Sequence, residues 1–289
     1  MNSLQPPSAL ALASGSRHSG KRLILCADDF ALNAPVSEGI AALARAGRLS
    51  ATSAMVLSPR WAADAALLRE LRGHIDIGLH LDWTSGFARA AGHGMSLSAA
   101  MLKAVLGGFD QAAARTVIAR QLDAFESVWQ APPDHIDGHQ HVQQFAGIRQ
   151  ALVAVVQARY GPENRLYFRL STGAAADASL KTRIISAMGA RALARLAGAA
   201  GIACAPVLSG IYDFSGGAQR YARLMDQWLR NAPEGGIIMC HPAARAAPDD
   251  EIGAARAWEH GYLASDAFAE TLVRAGVTLS GGARLHFRA

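Results

Sequence analysis

The chain has 289 residues, 51% of them hydrophobic and 18% charged, which is enough apolar material for a sizeable core and too little charge for a disordered chain. That length suits one α/β barrel of roughly 250 residues and does not require two domains. The 28 basic and 23 acidic residues leave +5, but Lys21, Lys103 and Lys181 are the only lysines and the arginines are scattered, so no basic stripe marks a nucleic-acid or membrane footprint.

The opening, MNSLQPPSALALASGSRHSGK, lacks a basic n-region, and its apolar stretch breaks after a few residues. It reads as a flexible tail over residues 1–20 ahead of a single domain over 21–289. Cys26, Cys204 and Cys240 are odd in number and far apart, against both a disulfide framework and a Cys-rich zinc site. A reducing, cytoplasmic compartment is expected. No apolar run approaches the ~20 residues of a membrane span.

From Arg22 onward, short apolar runs alternate with segments of helical period, the rhythm of repeated βα units. The first strand is expected over Arg22–Asp28, with a helix capped by Asn33 and ended by Gly47. A second strand follows from Ser50 to Leu57, and Ser58 is expected to cap a helix with Pro59 at its first position, running to about Arg72. Asp76–Leu81 is the third strand. Helical patterns run from about Ser98 to Leu106 and from Asp110 to Gln130; in the second, Val117, Ile118, Leu122, Phe125 and Trp129 form a core-facing stripe. His135–Asp137 is the fourth strand, followed by a helix to about Tyr160. Later strands are expected at Arg165–Leu170, Pro206–Ile211, Gly236–Cys240 and Val277–Leu279. The Ala-rich segment Thr172–Gly201 is helical, with a loose connection at Ala174–Ala178. It is not a domain boundary, because the strands after it are needed to close the sheet.

Chemically capable side chains recur at the carboxyl ends of these runs, where parallel α/β folds place their sites. Asp28 and Asp29 in CADDFALN are adjacent carboxylates, costly unless a cation lies beside them. Neighbours on a strand point to opposite faces, so both serve one site only where the pleat breaks; otherwise Asp29 would cap the next helix. His80 in DIGLHLDW sits on an apolar strand, either as a metal ligand or as a satisfied core histidine, and Asp82 can cap the loop. In HIDGHQHVQ, residues Asp137, His139 and His141 recur at a spacing of two, which on an extended segment puts them on one face within reach of one ion. His241 in GGIIMCHPA can give or take a proton. Cys240 beside it is disfavoured as a nucleophile, since alternation points the pair to opposite faces.

With ADDFALN, GRLSATSAMVLSP, GLHLDW, PDHIDGHQHVQ, FRLS, CHPA and the Arg256–Leu263 stretch containing Glu259, the chain resembles the YdjC-like carbohydrate deacetylases over nearly its whole length. That family includes chitooligosaccharide deacetylases and hopanoid-biosynthesis-associated deacetylases. The resemblance implies a TIM-barrel-like fold of about seven or eight βα units in a single domain. It further implies Asp29, His80 and His139 as metal ligands, Asp28 as general base, His241 as general acid, and Arg169 orienting carboxylates or substrate. Asp137, His141 and Gln143 would contact substrate or support the ligands. Two positions depart from the family: Ala31 replaces the usual Gly after DDF, and Gln143 stands where a further His is common.

One carboxylate and two imidazoles suit a single Zn²⁺ or Mg²⁺, with Mn²⁺ or Co²⁺ as further candidates. The expected reaction is hydrolytic removal of the acetyl group from an N-acetylated sugar or oligosaccharide. Trp83, Phe87, Tyr212 and Trp258 lie near rim loops as sugar-stacking candidates, with ordinary loop packing the alternative. The rivals are metal-dependent hydrolysis of a phosphoester or cyclic amide on the same barrel, and a non-catalytic carbohydrate-binding protein. A homodimer is compatible with this reading and not required by it.

Overall fold

In the computed structural model, which describes residues 20–161, 165–174, 180–282, 285 and 287, the apolar runs form one parallel sheet. Its strands are β1 (Lys21–Phe30), β2 (Ala51–Ala54), β3 (Asp76–Leu81), β4 (His135–Gly138), β5 (Tyr167–Arg169), β6 (Ala203–Ala205), β7 (Leu208–Ser209), β8 (Ile237–Cys240) and β9 (Val277–Leu279). Their order is β6-β5-β4-β3-β2-β1-β8-β7, with β9 paired to the start of β1. The end strands β6 and β7 are separated by Pro206 and Val207 alone. The Leu208 N–H donates to the Thr172 carbonyl (2.8 Å), joining the continuation of β5 to β7. The sheet is thereby curled nearly closed into the expected TIM-barrel-like α/β fold.

Period-two alternation sorts β1 between two cores. Leu23, Leu25 and Ala27 face the surrounding helices. Ile24 and Cys26 face inward, with Tyr167, Leu208, Ile237 and Met239. Asp28 continues the inward series, so the strand that builds the barrel floor also delivers a carboxylate to its upper end. Room inside is tight: a Cβ on Gly78 would lie 2.3 Å from the His135 ring, so only glycine lets that imidazole stack on Tyr167 within the barrel.

The helix Gln111–Trp129 shows how the outer layer is specified. Asp110 caps it by accepting from the Ala113 N–H (2.7 Å), and Val117, Ile118, Leu122, Phe125 and Trp129 are all buried as their spacing predicts. Each such side chain contributes about 1.5–3 kcal/mol of apolar burial. Asn33 likewise caps the helix Ala34–Arg45 through the Val36 N–H.

Several expected boundaries are corrected. Ser58 does not cap a helix: its hydroxyl donates to the Ala31 carbonyl and accepts from the Arg60 N–H, and a short helix starts only at Trp61, continuing as 3₁₀ turns over Ala65–Leu71. The second strand stops at Ala54, and the short strand Ala203–Ala205 joins the sheet without having been expected. The expected tail over residues 1–20 lies outside the described residues but for Gly20, and so does the loose connection but for Ala174.

Candidate functional site

The pleat of β1 breaks where two adjacent carboxylates must share one site. Asp29 has φ +69 and Ala31 φ +72, both left-handed, and the Asp29 carbonyl accepts from the Leu32 N–H (2.9 Å). The turn brings the Asp28 and Asp29 side chains together at the mouth of the barrel. It also holds Ala31 in a left-handed conformation, which costs an alanine roughly 1–2 kcal/mol. Hydrogen bonds from Ala31 N–H to Ser37 and from Ser58 to the Ala31 carbonyl hold it there.

Each carboxylate is gripped by its own buried guanidinium. Arg169, fully buried on β5, donates to both oxygens of Asp28 (2.6 and 2.7 Å) and reaches Asp137 (3.0 Å). Arg256 donates to Asp29 Oδ2 (2.7 Å) and, through Nε, to Asp250 (2.7 Å). Burial opposes charge on Asp28 and Asp29, yet Arg169 holds Asp28 below its ordinary value, and Arg256 with His139 and His80 holds Asp29 well below it. Both remain ionised near neutrality.

Asp29 Oδ1, left free by Arg256, faces two imidazoles. His80 Nε2 is 3.4 Å from it and His139 Nδ1 is 3.2 Å from it. One donor atom from each of Asp29, His80 and His139 lies within 4.8 Å of the others, close enough to hold one ion. On the far side of its ring, His80 Nδ1 lies 2.6 Å from Asp137 Oδ1. An ionised carboxylate only accepts, so Nδ1 carries the proton and Nε2 is turned to the ion position, the carboxylate–histidine arrangement of metal sites. Burial works against charge on His80, but Asp137 and Asp28 raise its pKa well above the ordinary value. In the ion-free site a protonated His80 joins Arg169 and Arg256 in balancing Asp28, Asp29 and Asp137; a divalent cation bound there would take over that charge by displacing the Nε2 proton.

Asp137 is itself anchored from below. Ser53 Oγ donates to it (2.5 Å) and also lies 3.0 Å from His135 Nε2. Despite burial, hydrogen bonding to Asp137 and Cys26 pushes the His135 imidazole up to about 10.

The shared-face expectation for Asp137, His139 and His141 is overturned. The strand ends at Gly138, and Gln140 and His141 take left-handed backbone conformations (φ 52 and 64), so the three side chains diverge. Asp137 lies beneath His80, His139 reaches Asp29, and His141 Nδ1 pairs with Ser171 Oγ at 3.0 Å. Gln143 is fully buried and donates to the Arg169 carbonyl and Ser171, behind β5 and off the cavity wall.

His241 follows β8, its Nε2 3.9 Å from Asp28 Oδ2 and its ring edge-on to Phe214 at 5.2 Å. Burial pushes its pKa down to about 4, against the pull of Asp28 and Asp29. Cys240 points away from it, toward the Cys26 carbonyl. The His241 N–H is fixed by Glu259 Oε2 (2.5 Å), whose other oxygen accepts from the Tyr212 hydroxyl (2.7 Å). Burial pushes Glu259 up to about 7.

All of this opens into a cavity of about 1130 Å³ lined by Asp28, Asp29, His80, His139, His141 and His241, among others. Of the four stacking candidates, Tyr212 lines it; Trp83 is buried against His93 and Phe109, and Phe87 and Trp258 are off its wall. Asp82 acts as the loop cap, accepting from the N–H groups of Thr84 and Ser85. Reasoning from sequence missed Arg256 as the partner of Asp29, and Asp250 as the second partner of Arg256. The available signal was a buried-type pair, Arg256 and Glu259, three apart on one helical face of an otherwise Ala-rich segment.

Similarity to known proteins extends over most of the chain. The model of the family described as YdjC-like protein matches residues 22–274. A chitooligosaccharide deacetylase of Enterobacter sp. (strain 638) is 34% identical over 151 residues, 50% of this chain and 59% of that one. A carbohydrate deacetylase of Mus musculus is 32% identical over 154 residues, 48% of each chain. The chain thus spans about half the length of the curated relatives it matches. A crystal structure from Enterococcus faecalis, named for cellobiose-phosphate cleavage, superposes with a TM-score of 0.66 at 21% identity, covering 92% of this chain and 99% of that one, and so shares the fold.

Proposed function

The chain belongs to the family of YdjC-like proteins, and from that premise and the geometry of the cavity we propose that it is a metal-dependent hydrolase removing the acetyl group from an N-acetylated sugar. The observation that carries the proposal is the convergence of Asp29, His80 and His139 within 4.8 Å, beside an ionised Asp28 left over from the ligand set. Relatives named as chitooligosaccharide and carbohydrate deacetylases support the substrate class.

In this reading Asp29, His80 and His139 hold one divalent ion, with Zn²⁺ or Mg²⁺ the leading candidates. When bound, the ion supplies a Lewis acid that lowers the pKa of water toward ~7 and polarises the acyl carbonyl. Arg169 keeps Asp28 charged and immobile, so this carboxylate accepts the proton of the attacking water. His241, 3.9 Å away, relays that proton to the departing amine. An imidazole whose pKa lies near 4 does not store a proton in the resting site but surrenders one readily once protonated. Asp137 locks the His80 tautomer, and Glu259 fixes the backbone that presents His241. Three cysteines, odd in number and far apart in sequence, fit a reducing, cytoplasmic setting.

The test is acetate release from N-acetylglucosamine oligomers after the metal is chelated and each candidate ion restored. Release that depends on the ion supports the proposal. Sugar binding without turnover at saturating metal would instead favour a carbohydrate-binding protein, and turnover of phosphoesters alone would favour the rival hydrolase.

A further inference from the structure

Gln140 and His141 both line the cavity and both hold left-handed backbone conformations without being glycine (φ 52 and 64). Such strain persists only where the surrounding structure imposes it, and it collects at functional sites. Here it turns the His141 ring away from His139 and into the cavity wall, half-buried, with Nδ1 3.0 Å from Ser171 Oγ.

The hydrogen bonds behind that ring decide which of its nitrogens carries the proton. Gln143 Nε2 lies 3.1 Å from the Arg169 carbonyl, which only accepts, so the amide nitrogen and not its oxygen faces that way. The same nitrogen donates to Ser171 Oγ (3.3 Å). Ser171 is fully buried, and among the described residues the remaining partner of its hydroxyl is His141 Nδ1. A buried hydroxyl hydrogen without an acceptor is costly, so it points at the Nδ1 lone pair. The imidazole is then neutral and bears its hydrogen on Nε2. Among the described residues no protein atom bonds Nε2, which is not sealed in either, so this N–H is presented to the cavity. Asp28, Arg169, His80 and His241 are close enough to act on the ring electrostatically, which sets it beside the proposed base and proton relay.

We propose that His141 is a catalytic hydrogen-bond donor, giving its Nε2–H to the carbonyl oxygen of the reacting acetamide as charge develops there, and that Ser171 and Gln143 are positioning residues that fix this tautomer. A neutral donor suits the place, since an imidazolium would repel the divalent ion assigned to Asp29, His80 and His139. The role rests on the deacetylation reading above.

Two measurements test it. In ion-free protein carrying isotope-labelled histidine, nitrogen–proton NMR correlations read the tautomer directly. The His141 signals, identified by their loss in His141→Asn, are expected to show a protonated Nε2 and a bare Nδ1 in wild type, and a mixed or reversed pattern in Ser171→Ala. Acetate release from N-acetylglucosamine oligomers with the ion restored then reads the role. His141→Gly, which takes the left-handed backbone freely but has no donor, is expected to lower kcat by about 10²–10³-fold with KM and metal stoichiometry near wild type. His141→Asn, whose amide tolerates the same backbone and supplies an N–H, should recover part of that loss. Ser171→Ala should lower kcat and leave KM. An Nδ1-protonated or doubly protonated ring in wild type, a raised KM at unchanged kcat in His141→Gly, or loss of metal stoichiometry in that variant would overturn the inference. The wrong tautomer strikes this role alone, whereas wild type that releases no acetate with any ion strikes the deacetylation reading and the role with it.

Discussion

Arg169 donates to both oxygens of Asp28, whereas Asp29, its neighbour in sequence, keeps one oxygen free of any guanidinium. This difference gives two adjacent carboxylates separate places in the site. It also makes Arg169 the least replaceable side chain there: its removal strands Asp28 and Asp137 as buried charges. Arg169→Met is expected to cost about 3–5 kcal/mol, visible in urea denaturation, with the ion-free protein losing as much as the loaded one.

The three proposed ligands and the proposed base should separate by calorimetry. Asp29→Ala, His80→Ala and His139→Ala are each expected to abolish stoichiometric metal binding, while Asp28→Asn retains metal and loses rate by ~10²–10⁴-fold. Asp137→Asn, which removes the acceptor behind His80, should weaken metal binding by about 10–100-fold without abolishing it. Undiminished stoichiometry in the His80 and His139 variants would remove the ligand assignment.

Ala31 occupies a left-handed position that glycine adopts freely. Ala31→Gly is expected to stabilise the fold by up to about 1 kcal/mol, the relieved strain exceeding the lost methyl burial. A chemical-denaturation midpoint below that of wild type would show that packing of the methyl outweighs the strain.

His135 gives a pH signature. Its folded pKa, near 10, is above the unfolded value of about 6.5. The stability it contributes is therefore complete below about pH 6.5 and is lost as pH rises toward 10. In metal-free protein, the stability difference between wild type and His135→Gln should shrink between pH 6.5 and 9.5, measured by urea titration at each pH. A difference that stays constant would mean the imidazole is neutral in the barrel.

Gly78 tests the tightness of the interior. Gly78→Ala should destabilise by about 1–3 kcal/mol, because the new methyl meets the His135 ring and not a flexible chain end. His135→Ala in the same background should recover part of the loss.

The sequence by itself determined the rhythm of strands and helices, since burial on a pleated strand or a helical face imposes periods of two and 3.6 that survive in any context. It also placed Asp28, His80, Asp137, Arg169 and His241 at or next to strand ends on one side of the barrel, because parallel strands bring all their carboxyl ends together. What local pattern could not contain was set by the tertiary structure. Whether the pleat breaks at Asp29 depends on Ser37 and Ser58 holding the turn, and the divergence of His139 from His141 depends on a backbone reversal that spacing alone reads as extended. The pairing of Asp29 with Arg256 joins residues 227 positions apart. No periodicity reaches that far; closure of the sheet does, because it brings the last helices of the chain over the end of its first strand.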